Sequence, residues 1–482
     1  MSPVILFTFV IAYFLLLLGV AFYTSRNANN ETFFSGNKNS HWALVAFGMI
    51  GTSLSGVTFI SVPGTVEVAN FSYFQVVLGY FIGYFVVAYV LLPLYYKLNL
   101  TSIYNYLYQR FGIYAYKTGA IFFIISRTLG ATLRLYLVIN VLQLFILDDL
   151  GISFHVTAII ILIMILLYTF KGGVKTIVWT DTLQTFFMLL ALVVCVFYIM
   201  DDLNLNVASA LTKLNESGHT QIFNMDGWDK KFFLKQIIGG AFITIAMTGL
   251  DQEMMQKNIS VKTLGGAQKN MVLFSTVMVL VNFLFLLLGG LLFLFAQAKG
   301  LTVKGDDLFP TIALHSLPAV VSIIFIIGLI SALFPSADGA ITALTSSFCI
   351  DILGVQRNET LTEQKKSHIR MTVHLLFAVV FLLFVYYFKY LNNKSIIGIL
   401  LDIAGYTYGP LLGLFAFGIL TRYKIKDKLA PVICLTAPAI CYLFQLYASS
   451  VLKMHYQIGI EMLLINGMLT FLGLWLIREK TT

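Results

Sequence analysis

Glu67, Arg127, Arg134, Asp181, Asp338 and Asp402 all stand inside apolar stretches of this chain. An ionisable group at the centre of a bilayer costs roughly 2.5–3.5 kcal/mol on insertion scales, so each needs a partner or a task. Glu67 and Asp402 fall near the ends of their stretches, where they reach water. Arg127 and Arg134 are seven residues apart and share one helix face. A buried guanidinium is a planar, permanently charged fork that fits a carboxylate. A structural pair with Asp181 or Asp338, contact with an anionic solute or, for Arg127, snorkelling to the membrane surface satisfies it. Asp181 lies about 12 Å along a helix from Gly173, too deep to be a surface group. It is a cation ligand, a proton site or the partner of an arginine.

Two apolar stretches are interrupted by glycine and small polar residues. One runs from Gly48 to Gly56 and the other from Ser331 to Gly339. Lipid offers unpaired backbone no hydrogen bonds, so a segment that unwinds there must line a cavity or hold an ion. Breaks near the midplane are characteristic of secondary transporters. Both stretches are therefore predicted to be broken, with freed carbonyls and hydroxyls arranged for a hard cation.

The surrounding chain fits that setting. Of 482 residues, 59% are hydrophobic and 11% charged, far from the composition of soluble domains. Apolar runs predict a single polytopic membrane domain (1–482), all α, with thirteen spans. They lie near 3–23, 42–66, 71–97, 117–148, 153–170, 174–200, 232–250, 270–297, 315–350, 370–391, 395–421, 429–449 and 457–477. The first run has no basic residue before it and is too long for a cleavable signal, so it reads as a retained span. The net charge of +9 is scattered over short loops and reflects topology, not nucleic-acid binding. Basic residues, Lys257 among them, concentrate on one set of alternating loops, which predicts an external amino terminus and a cytoplasmic carboxy terminus. Cys195, Cys349, Cys434 and Cys441 read as buried small hydrophobes.

Gly172-Gly173 followed by Trp179-Thr180-Asp181 and Gln184, then Asp251-Gln252 with Gln256-Lys257, then Ser336-Ala337-Asp338 with Asp351-Ile352, then Tyr408-Gly409-Pro410 through Arg422, occur in order. Together they resemble the signature segments of the sodium:solute symporter family, over nearly the whole chain. The resemblance implies a LeuT-type fold of two inverted five-helix repeats, at 42–200 and 232–421. An extra first helix (3–23) and extra helices at 429–477 would flank them. It implies Na+ held by the carbonyls of Gly51, Leu54 and Ala332 and the hydroxyl of Ser336. Pro335 stands where the family usually has a second hydroxyl, and Gly339 where many members have a serine. It further implies a second cation, or a proton, at Asp181 and Asp338. The substrate pocket would lie along Ser53, Ser55, Thr58, Gln75, Arg134 and Met247, the arginine gripping a carboxylate. The whole reading is a sodium-driven plasma-membrane symporter, not an enzyme, importing a small anionic solute such as a sialic acid, amino acid or monocarboxylate. A proton-coupled carrier of the same fold and an integral-membrane transferase are the alternatives. The latter lacks a histidine cluster, a paired acidic motif or a nucleophile–base arrangement in the sequence.

Overall fold

The computed structural model describes residues 3–26, 33, 40–391, 396–450 and 458–479. Residue 395 and residue 457, where two predicted spans begin, lie outside them. The described residues are mainly helical, with one two-stranded pairing of Lys424–Ile425 with Arg478–Glu479 and two isolated bridges, Ser40 with Val261 and Asn224 with Phe232. Among the described residues, eight helices are long and apolar enough to cross a membrane, and three bent pairs bring the number to eleven. Two shorter apolar helices, Phe154–Phe170 and Met462–Leu476, occupy the remaining predicted positions. All thirteen predicted spans thus have a helical counterpart.

The helices that build the site are α1 (Trp42–Ser53), α2 (Gly56–Gly64), α3 (Tyr73–Val86), α4 (Ile113–Leu142), α5 (Phe154–Asp202), α6 (Phe233–Thr244), α7 (Gln252–Ile259), α8 (Leu264–Lys299) and α9 (Ala319–Ser347). Within α5 the chain kinks at Gly173, whose φ of 53° suits a residue without Cβ. Long α4 and α9 are buried along most of their length and pack on each other, with α5 and α1 against α9.

The first predicted break is present. Helices α1 and α2 meet at 53°, with Leu54 at ψ 73° and Ser55 extended. The second is not where it was expected. Helix α9 runs unbroken through Ser331–Gly339 with Pro335 inside it. Proline removes one amide, leaving the Ser331 carbonyl without its usual partner, but neighbouring helices hold the backbone on course. Ser336 Oγ donates to the Leu333 carbonyl at 2.8 Å within the same turn.

The second break lies instead at Leu250–Asp251, where α6 and its π-helical extension Ile245–Gly249 meet α7 at 64°. Asp251 makes this turn by capping α7, one carboxylate oxygen accepting from the amides of Glu253 (2.9 Å) and Met254 (3.2 Å). The two breaks differ in how their carbonyls are satisfied. At the second, Tyr95 Oη donates to the Gly249 carbonyl at 2.8 Å and Tyr104 Oη to that of Leu250 at 2.9 Å. At the first, no donor among the described residues reaches the carbonyls of residues 51 to 54. One break is sealed by tyrosine and the other left open.

Removing a tyrosine hydroxyl at the sealed break strands a buried carbonyl, which costs about 1–3 kcal/mol. Tyr95→Phe and Tyr104→Phe should each lower the thermal unfolding midpoint in detergent. Midpoints unchanged from wild type would show that the hydroxyls contribute nothing to holding the break.

Candidate functional site

The open break faces a cavity of about 100 Å³ with mixed polar and apolar walls. Thr52, Ser53, Ser55 and Thr58 line it from α1 and α2, Tyr73, Tyr80 and Tyr84 from α3, and Arg127 and Arg134 from α4. Thr244, Met247, Thr248 and Met254 come from the second break, and Met278 and Asn282 from α8. Ser55 sits at the amino-terminal edge of α2, yet its hydroxyl makes no capping bond to that helix. The positive end of α2 therefore opens towards the cavity, a setting that favours an anion.

Five of the six residues expected in the pocket line this cavity: Ser53, Ser55, Thr58, Arg134 and Met247. Gln75 does not. It is fully buried and holds the outer loop, its amide nitrogen donating to the Ser72 and Lys231 carbonyls and its oxygen accepting from the Asn224 amide. A buried carboxamide whose nitrogen and oxygen are both engaged by backbone acts as a fastener for that loop.

The seven-residue spacing of Arg127 and Arg134 brings both to the cavity, but they differ in what holds them. Arg127 pairs with Glu253 of α7 rather than with Asp181 or Asp338. Arg134 has no ion pair or side-chain hydrogen bond among the described residues, and its Nε is buried without a partner. It is 9% exposed. A guanidinium so placed is a vacant fork for a carboxylate.

Behind the cavity lies a second polar layer. Lys257 Nζ is 2.7 Å from Asp181 Oδ2, 2.6 Å from Thr52 Oγ1 and 3.5 Å from Glu253 Oε1. Thr52 Oγ1 is also 3.1 Å from Asp181 Oδ2. Arg127, Glu253, Lys257 and Asp181 thus form one buried ladder of alternating charge from α4 through α7 to α5. Lys257 is 3% exposed, so its assignment to a cytoplasmic loop is corrected. The apolar run ends at Leu250, and α7 reads as loop although it is the inner half of a broken span. Glu253 was missed for the same reason. Their i,i+4 spacing on a capped helix was the available signal.

Asp338 stands beside this ladder on α9. Its Oδ2 accepts from Tyr168 Oη at 2.7 Å and its Oδ1 from the Gly339 amide. Gly339 has a packing reason to lack a side chain, since a Cβ there would collide with Glu253 Oε1. Gly51, Leu54, Ala332 and Ser336 are all buried, Gly51 on α1, Leu54 just past its end, and Ala332 and Ser336 on α9, which packs directly on α1. Asp402 is exposed and Glu67 pairs with Lys304 at 2.7 Å, both near span ends as expected.

Removing one member of a buried pair leaves an uncompensated charge and typically costs about 3–5 kcal/mol. Arg127→Ala should therefore destabilise the protein severely. Arg127→Ala combined with Glu253→Gln should recover a substantial part of the unfolding midpoint. Additive losses in the double variant would contradict the pairing.

Comparison with known proteins agrees with this architecture. The profile of the sodium:solute symporter family matches residues 33–425. The sodium/sialic acid symporter of Aliivibrio fischeri is 23% identical over 430 residues, 85% of this chain and 81% of that protein. The sodium-coupled monocarboxylate transporter 2 of Danio rerio is 25% identical over 405 residues, 82% and 63% of the two chains. Among solved structures, a substrate-bound, outward-open Na+-coupled sialic acid symporter superposes with a TM-score of 0.84 over 99% of each chain, at 18% identity. A nucleobase–cation symport transporter in a closed conformation gives 0.54 at 13% identity, over 92% of this chain and 93% of that one. The fold is thus the LeuT-type arrangement of a multi-pass plasma-membrane transporter, and the chain belongs to the sodium:solute symporter family, which makes it a sodium-coupled carrier of a small solute.

Proposed function

We propose that this protein imports a small solute bearing a carboxylate together with Na+, its amino terminus outside and its carboxy terminus in the cytoplasm. The observation that carries the solute class is Arg134, a buried guanidinium without an acidic partner among the described residues, facing a cavity lined by hydroxyls and tyrosines. The relatives named above are carriers of sialic acid and of monocarboxylates, both of which present a carboxylate. The carboxylate docks on Arg134, near the open amino-terminal end of α2, while Ser53, Ser55 and Thr58 supply hydrogen bonds and Met247 an adaptable apolar wall.

For Na+, the carbonyls of Gly51 and Leu54 supply oxygen ligands that no donor among the described residues competes for. Ala332 and Ser336 add a carbonyl and a hydroxyl from α9. Ser336 Oγ donates its proton to Leu333, which leaves its lone pairs for an ion. The intact α9 makes the Ala332 carbonyl a shared ligand, bonded within its helix, and so places most of the binding on the open break. Sodium joining α1 to α9 favours one conformation, and solute that prefers the same conformation binds more tightly to it. Their reciprocal coupling is what makes the pair travel together.

A charge-assisted contact is worth about 1.5–3 kcal/mol, or about 10- to 100-fold in affinity. Thermal-shift titrations of purified protein with N-acetylneuraminate and short monocarboxylates, in sodium and in choline, test the reading. One of these ligands should stabilise wild type in sodium only. Arg134→Gln should weaken that ligand by about 10- to 100-fold and leave the carboxamide analogue unaffected. Equal loss for acid and amide would remove Arg134 from carboxylate binding.

A further inference from the structure

The ladder behind the cavity holds an ammonium group where the sequence reading placed a second free cation. Lys257 Nζ has three oxygen neighbours, Thr52 Oγ1 at 2.6 Å, Asp181 Oδ2 at 2.7 Å and Glu253 Oε1 at 3.5 Å. A hydroxyl and two carboxylates from three different helices are the ligand set of a hard cation. Here the cation is covalently attached to one of those helices. We propose that Lys257 is a tethered substitute for a second transported cation, and that this carrier therefore moves one Na+ with each solute. The inference rests on the sodium reading above and adds the stoichiometry.

Three features of the site fit a tethered charge. Arg127, Glu253, Lys257 and Asp181 balance to zero among themselves, so the ammonium already supplies Asp181 with its positive partner. The position is closed to water, since Lys257 and Asp181 side chains are 4% and 0% exposed. Helix α9 is also cleared for the lysine: the Cβ of any side chain at residue 339 would lie 3.2 Å from Nζ and collide with Glu253. Glycine at 339 and lysine at 257 are thus one arrangement, in which an ammonium and its carboxylate partner fill the space that a hydroxyl side chain on α9 would occupy. Thr52 sits in the last turn before the open break, so the tethered charge also fixes the end of α1 from which the carbonyl ligands project.

Equilibrium binding of 22Na+ to the purified full-length chain tests this. Wild type should bind one sodium per chain, and Lys257→Ala, which vacates the shell and leaves Asp181 and Glu253 in place, should bind two. Lys257→Arg keeps a tethered charge and should stay at one. So should Lys257→Met paired with Asp181→Asn, which removes both charges and serves where the alanine variant does not fold. Two sodium ions on wild type, or one on a folded Lys257→Ala, would overturn the proposal. No sodium on wild type would instead overturn the sodium reading on which it rests.

Discussion

Charge that is buried in a bilayer must be neutralised by other charge, and in this protein one ladder does most of that. Arg127, Glu253, Lys257 and Asp181 alternate in sign across α4, α7 and α5, and Thr52 joins them to the end of α1. Each group alone would be costly at this depth, and each is compensated by its neighbours. The ladder also fixes geometry. It ties the inner half of one broken span to the end of the other, so the two breaks sit on either side of one cavity. Gly339 and the turn at Asp251 follow from it, the first by making room and the second by directing α7 inward.

The two breaks divide the work. Both expose backbone that lipid cannot satisfy. At Leu250–Asp251 the freed carbonyls are bonded by Tyr95 and Tyr104, and Asp251 caps the next helix while its other oxygen takes a bond from Tyr408 at 2.8 Å. That break is a fixed bend. At residues 51–54 the carbonyls have no donor among the described residues, and Ser55 does not cap α2. Here the fold keeps oxygen ligands and an open helix terminus available, next to Arg134.

Much of this was legible in the sequence. Hydropathy located all thirteen spans, because length and apolar content are what a bilayer imposes. The seven-residue spacing of two arginines set them on one face, and Gly48–Gly56 announced the first break. The second break was misplaced because glycine, serine and proline mark weak points in a helix, while tertiary donors decide whether it breaks. Around Pro335 buried helices keep α9 straight. At Leu250 the distant Tyr95 and Tyr104 make a bend affordable, and neither is near it in sequence. Glu253 and Lys257 were read as loop because polarity at the end of an apolar run resembles an exit from the membrane. Only the packing of α7 against α9 and α5 shows that it turns back inside. Gln75 carries no sequence mark that separates a loop fastener from a pocket residue.

The central claim is that a sodium gradient, acting at the open break, drives entry of a carboxylated solute. Its most direct test is uptake into proteoliposomes of the acid that stabilises the protein, with either a sodium gradient or a pH gradient imposed. Accumulation against the solute gradient with inward sodium and equal pH on both sides is the predicted result. Accumulation driven by the pH gradient in the absence of sodium would contradict it.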